Sequence, residues 1–202
     1  MSGVIVVRTL EEADVPSAVG VVARGMCDNP LHIAALGADA RLRGRRLSRL
    51  FTVALPLIFS KGVILGAFDG DTLAGVAGMI APGHCQPSVT EKLVVMPRLV
   101  PRVGSGALAR VGRWMNAWAE QDLPEPHWHL GPVAVDAHLQ RNGIGTLLMT
   151  ESCARLDGLH ATGYLETDKA SNVTFYERFG FETISSAPVL ETANWFMRRE
   201  PR

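Results

Sequence analysis

The chain has 202 residues, 47% of them hydrophobic, and a formal net charge of +0. That length suits one domain with a full core, and the neutral balance argues against a protein that grips nucleic acid by electrostatics. Cys27, Cys85 and Cys153 form no Cys-x-x-Cys pair, which disfavours a disulfide framework or a structural zinc and fits a reducing cytoplasm.

Met1-Ser2-Gly3-Val4 lacks the basic opening of a signal peptide. Val4 to Val7 is a β-branched strand. Two helix starts follow it, one at Thr9 with Glu12 and one at Asp14 with Pro16 in the first turn. The second is favoured, with a helix from Val15 to about Met26 and a stop at Asp28-Asn29-Pro30. Residues 31–61 read as helical, with Leu47, Leu50, Phe51, Ala54, Leu57 and Ile58 on one face and a kink at Pro56. The apolar run from Val53 to Phe59 is too short to span a bilayer. Arg41, Arg43, Arg45, Arg46 and Arg49 read as a solvated helix face, with the rim of a ligand cleft as the functional alternative.

Val63 to Phe68 and Leu73 to Ile80 are strands joined by a hairpin turn at Asp69-Gly70-Asp71. Gly75 and Gly78 mark a bulge or close packing. Ala81 to Pro87 is an irregular loop whose adjacent His84 and Cys85 are weak evidence for a nucleophile pair. Leu93 to Gly106, rich in Val, Pro, Arg and Gly, reads as a mobile connection. A helix then runs through Leu108, Val111, Met115, Trp118 and Ala119, with Trp114 and Trp118 as packing residues, and Pro124-Glu125-Pro126 leads into a central strand.

That strand contains His127 and His129, which share a face. No third donor stands at sensible spacing, so no metal is expected. Val133, Ala134 and Val135 continue it and Asp136 ends it. Gln140-Arg141-Asn142-Gly143-Ile144-Gly145 is a loop feeding a helix that has Ile144, Leu147 and Leu148 on one face. Free backbone N–H groups and the positive end of the helix dipole make this a phosphate site, with Gly143 and Gly145 allowing close approach. The spacing is neither Gly-x-Gly-x-x-Gly nor a P-loop. Tyr164 to Thr167 is another strand. A helix capped by Ser171 follows, with Asn172 and Tyr176 on one face and Phe175 and Phe179 on the next. Gly180 stops it. Phe181 to Ile184 and Leu190 to Arg199 close the sheet.

Gln140-x-x-Gly143-x-Gly145 after a Val-rich strand, followed by Leu165-Glu166-Thr167, Asn172 and Phe175-Tyr176-Glu177-Arg178-Phe179-Gly180-Phe181, resembles the GCN5-related N-acetyltransferase superfamily. The resemblance implies an α/β fold with a mixed, centrally splayed sheet flanked by helices. It implies a single domain over 1–202, with 31–125 the more variable acceptor-side part and 126–202 the acetyl-CoA-binding part. Gln140, Arg141, Asn142, Gly143, Ile144, Gly145 and Thr146 would hold the pyrophosphate. Two parallel strands would splay after residue 135, and the backbone of Val133, Ala134 and Val135 would pair with the pantetheine arm, which Asn172 also contacts. Tyr176 would be the general acid and Glu166 the base, ahead of Glu91, His84, His127 and His129. The expected acceptor is a primary amine on a small molecule, by direct transfer. A protein N-terminus or lysine, and a silent CoA-binding module, are the alternatives. Neither metal, nucleic acid nor membrane is expected as a partner, and a homodimer is left open.

Overall fold

The computed structural model describes residues 4–86 and 88–202, apart from the side chains of Val89 and Lys92. The opening Met1-Ser2-Gly3 and Pro87, the end of the Ala81 loop, lie outside the described residues. Seven strands are numbered in chain order: β1 (Ile5–Thr9), β2 (Gly62–Asp69), β3 (Thr72–Ile80), β4 (Trp128–Val135), β5 (Gly163–Thr167), β6 (Glu182–Val189) and β7 (Thr192–Arg199). The helices are α1 (Val15–Gly25), α2 (Pro30–Leu36), α3 (Ala40–Lys61), α4 (Val89–Val103), α5 (Ser105–Ala119), α6 (Ile144–Gly158) and α7 (Ala170–Glu177).

The strands form one sheet in the order β1-β2-β3-β4-β5-β7-β6. Every neighbouring pair is antiparallel except β4 and β5. Side chains alternate across the sheet, so Ile64 joins a core with α1 to α5 on one face while Leu65 joins a core with α6 and α7 on the other. Burial on both faces explains why β3 reads as a nearly unbroken run of small and apolar residues.

The β4–β5 pairing consists of Trp128 opposite Gly163 and His129 opposite Tyr164, and then stops. The strands therefore part from Leu130 onward, not after residue 135 as expected. The register between β3 and β4 slips between Ala77 and Met79, and such a bulge bends and twists the strand beside it. Gly78 stands at the slip because a Cβ there would lie 2.5 Å from the Gly131 carbonyl oxygen.

Other expectations change for local reasons. Asp14 holds the cap position of α1 as expected, but its side chain makes no capping bond: the carboxylate accepts from the Glu11 N–H at 3.0 Å and pairs with Arg8 at 2.8 Å. Residues 31–61 are two helices, separated where Gly37 takes φ +107°, and Asp39 caps the second by accepting from Leu42 N–H. Pro56 sits inside α3 without ending it. The arginine run is divided. Arg43, 3% exposed, donates to the carbonyls of Cys27, Gly37 and Ala38 and pairs with Asp28. Arg46 donates to Leu36 and Arg49 to Arg102. Guanidinium groups thus satisfy carbonyls that helix ends leave without partners.

The stretch read as a mobile connection is mostly helix α4. Ser88 and Glu91 form a reciprocal capping box at its start, and Leu99 and Val103 bury its inner face. Pro97 and Pro101 hid it. In α6 only Ile144 and Leu148 of the expected stripe are buried, while Leu147 is largely exposed. The cap position of α7 is Lys169, not Ser171. Among the described residues no helix is long and apolar enough to cross a membrane.

The C-terminal turn of α1 presses directly on the end of β4. A Cβ on Gly25 would lie 2.3 Å from the Val135 carbonyl oxygen, and backbone cannot yield as a flexible side chain would. Gly25→Ala should lower the unfolding free energy by roughly 1–3 kcal/mol, read from denaturant unfolding. An unchanged midpoint would mean that α1 is free to slide off the strand.

Candidate active site

Where β4 leaves β5, its edge keeps backbone groups that the sheet does not use. Asp136 N–H donates to the Ala74 carbonyl at 2.9 Å, and Val135, Ala134 and Val133 lie opposite Gly75, Val76 and Ala77. Antiparallel hydrogen-bonded pairs alternate with non-bonded ones. Asp136 and Ala134 therefore bond to β3, and the N–H and C=O groups of Val133 and Val135 point the other way, into the gap. The Val135 carbonyl accepts from Gln140 Nε2 at 3.1 Å. The others face the space that β5 has vacated.

The start of α6 lies just downstream on the same segment. Its first helical bond runs from Leu147 N–H to Gly143 C=O at 3.1 Å. The N–H groups of Gly143, Ile144, Gly145 and Thr146 thus precede the helical ladder, and the cap residue, Gly143, has no side chain to satisfy them. With the helix dipole behind them, four clustered donors have the chemistry to receive an anion. Arg141 and Gly143 hold left-handed backbone, φ +67° and +82°.

The two glycines have different reasons. A Cβ on Gly143 would meet nothing within 4 Å, so glycine serves the backbone angle there and leaves the mouth open. A Cβ on Gly145 would lie 3.5 Å from the Phe175 ring, so the space beside it belongs to α7. The Gln140 side chain braces α1 against β4, donating to Gly25 and Val135 carbonyls. Asn142 donates to Leu139 C=O. What Gln140 and Asn142 can offer an anion is therefore mainly backbone.

Two buried aspartates that sequence reading missed fix the ends of the parted strands. Asp136 follows β4, pairs with Arg24 of α1 at 2.6 Å and accepts from His138 at 2.8 Å. Burial pushes its pKa up, but Arg24 and His138 outweigh that and hold it below the usual carboxylate value. Asp168 follows β5 and accepts from Leu31 N–H at the start of α2, at 2.7 Å. Burial wins there and raises its pKa. The one sequence signal was an acid directly after each strand.

Tyr176 lies in α7, 7% exposed. Burial, then the charge of Asp168, push its phenol above the ordinary tyrosine value, so it keeps its proton at neutral pH. Asn172 donates to Thr167 Oγ1 at 3.1 Å, tying α7 to the end of β5.

Glu166 is almost fully buried and bonds His129 Nε2 at 2.9 Å. Beside this pair, His127 Nε2 contacts Asp122 at 2.9 Å and Cys85 Sγ at 3.5 Å, and its Nδ1 donates to Glu125 C=O at 2.9 Å. The donor atoms of Cys85, His127 and His129 all lie within 4.8 Å of one another. The expectation that the histidines lack a third donor is thus corrected: the fold supplies Cys85 from 42 residues upstream of His127. Burial disfavours both imidazolium forms, but Asp122 beside His127 and Glu166 beside His129 raise both above the ordinary histidine value. Burial likewise pushes the Cys85 thiol up, yet the two histidines pull it down to about 7. Glu91 leaves the set of bases: it belongs to the α4 cap and to Lys61 at 2.8 Å, which bring it to about 2. His84 is exposed and stays outside the cluster.

Residues 43–181 match the model of the Acetyltransferase (GNAT) family. Among solved structures, the chain is similar to a histone acetyltransferase HPA2 and related acetyltransferase from Corynebacterium glutamicum, with 23% identity, a TM-score of 0.76 and coverage of 100% of this chain and 98% of that one. It is similar to a GNAT family acetyltransferase from Brucella melitensis in complex with acetyl-CoA, with 16% identity, a TM-score of 0.54 and coverage of 98% and 88%. An apo agmatine N-acetyltransferase matches with 13% identity, a TM-score of 0.64 and coverage of 97% and 99%.

Valine at Gly143 would mix steric blocking with backbone strain. Asparagine tolerates left-handed backbone and isolates the first effect. Gly143→Asn should weaken coenzyme A binding at least ~10-fold, about 1.4 kcal/mol, with thermal stability kept. Calorimetric titration that finds wild-type affinity would remove the anion site from this turn.

Proposed function

The chain belongs to the Acetyltransferase (GNAT) family, and from that premise we propose that it moves an acetyl group from acetyl-CoA to a primary amine of a small molecule, by direct transfer in a ternary complex. One observation carries this reading. The vacant β4 edge and the uncapped start of α6 lie on one short segment, residues 133–146. A ligand with a diphosphate at one end and amide groups along an extended arm suits both. Val133 and Val135 would pair with the arm, while Gly143, Ile144, Gly145 and Thr146, with Gln140, Arg141 and Asn142 shaping the loop, would hold the diphosphate.

The amine nitrogen attacks the thioester carbonyl, and the carbonyl oxygen gains charge that a backbone N–H in the gap would stabilise. The carbon–sulfur bond then breaks. Before attack the ammonium gives one proton to the Glu166–His129 pair; after it, Tyr176 gives its proton to the departing thiolate and regains one, through solvent, from the acylated nitrogen. Because the two groups share a hydrogen bond at 2.9 Å, the basicity belongs to the pair and not to either residue alone.

The agmatine-acetylating neighbour supports an amine acceptor. So does a likeness along the chain to puromycin N-acetyltransferase, in the Asp28-Asn29-Pro30 break, the Trp128 strand, Leu165-Glu166-Thr167 and the closing Trp195-Phe196-Met197-Arg198-Arg199. Puromycin itself does not follow, because residues 31–125, proposed as the acceptor side, match only in outline.

A panel of primary amines with acetyl-CoA, followed by release of free thiol, should show turnover. Coenzyme A binding without thiol release from any amine would leave a binding module instead. Tyr176→Phe should lower kcat about 10²-fold while coenzyme A affinity stays within error; an unchanged kcat would return Tyr176 to the core. Glu166→Gln should lower kcat/KM most at low pH. The deficit should shrink as pH approaches the pKa of the amine, because an amine that arrives neutral has no proton to lose before attack. A deficit equal at every pH would make Glu166 a positioning residue only.

A further inference from the structure

The cluster beneath the site contains an arrangement that acetyl transfer does not require. His127 Nδ1 faces the Glu125 carbonyl and Nε2 faces the Asp122 carboxylate, each at 2.9 Å. Both partners only accept, so both ring nitrogens carry protons and His127 stands as an imidazolium. Its Nε2 proton lies toward Asp122, with the Cys85 sulfur 3.5 Å from the nitrogen. His129 gives Nε2 to Glu166, and its other ring nitrogen, Nδ1, is buried without a hydrogen-bond partner among the described residues.

We propose that Cys85, His127 and His129 form a binding site for a divalent transition metal of the zinc class. Bond lengths of about 2.3 Å to sulfur and 2.0–2.1 Å to nitrogen put the S and N of a tetrahedral site roughly 3.5 Å apart, which is the separation between Cys85 Sγ and His127 Nε2. The metal takes the place of the protons on His127 Nε2, His129 Nδ1 and the Cys85 thiol, which are released to solvent. His127 keeps its Nδ1–H on the Glu125 carbonyl, and His129 keeps its Nε2–H on Glu166 while presenting Nδ1. These are the outer contacts that orient histidine ligands. A water completes the coordination. A thiolate with two imidazoles selects zinc-class ions over magnesium or calcium.

The consequence for activity rests on the functional reading above. A cation on His129 Nδ1 occupies the nitrogen at which that ring would take up a proton. The metal-loaded protein therefore loses its proton acceptor, and transfer stops without any change at the β4 edge.

Cobalt(II) titration of the purified full chain tests the site independently of turnover. Wild type should bind one cobalt per chain with a thiolate-to-metal charge-transfer band. Cys85→Ser should abolish the band and Cys27→Ser should keep it. His127→Ala should weaken binding at least ~10-fold. Absence of the band in wild type, or its survival in Cys85→Ser, overturns the site. Zinc should inhibit wild type and spare Cys85→Ser. Thiolate-bound cobalt together with zinc-insensitive transfer would leave the site standing and overturn the Glu166–His129 base instead.

Discussion

A strand edge left open inside the molecule governs this structure. β4 and β5 share two residue pairs and then separate, although both continue for several residues within the sheet. Backbone donors and acceptors left over by the sheet need partners, and that is the reason the proposed ligand is one that can pair as a strand. The rest of the fold holds the gap at fixed width and supplies the groups around it.

Each parted strand is braced by a different helix. Gly25 lets α1 touch the Val135 carbonyl, Gln140 bonds both, and Arg24 grips Asp136. On the other side Asp168 accepts from the Leu31 N–H in the first turn of α2, and Asn172 binds Thr167. The contacts made by α1 and α2 join residues more than a hundred positions apart. They tie α1 and the start of α2 to the segment proposed to carry the donor, so a shift in either helix moves the edge itself.

The polar cluster beneath the gap explains an otherwise odd choice of residues. His127, His129, Glu166, Asp122, Cys85 and Tyr164 lie together, and the Tyr164 hydroxyl donates to Gln121 C=O at 2.9 Å. Burying charge is costly unless it is paired. Here each histidine has a carboxylate, which offsets the cost of burying it.

The sequence by itself determined what short-range chemistry controls. The Gln140 to Gly145 turn, the strands around it, the α/β class, the family and the Asp28-Asn29-Pro30 break were all legible, because turn residues and strand alternation act between near neighbours. Two prolines concealed α4, since proline disfavours helix interiors by an average that a good cap and buried leucine and valine can override. Tertiary structure alone decided where β4 leaves β5, because a bulge opposite Gly131 depends on the partner strand. It alone gave Asp136 and Asp168 their roles, brought Cys85 to the two histidines, and turned Arg43 from solvent to the carbonyls that follow α2. Those outcomes depend on groups far apart in the chain coming within bonding distance, and no local pattern records that distance.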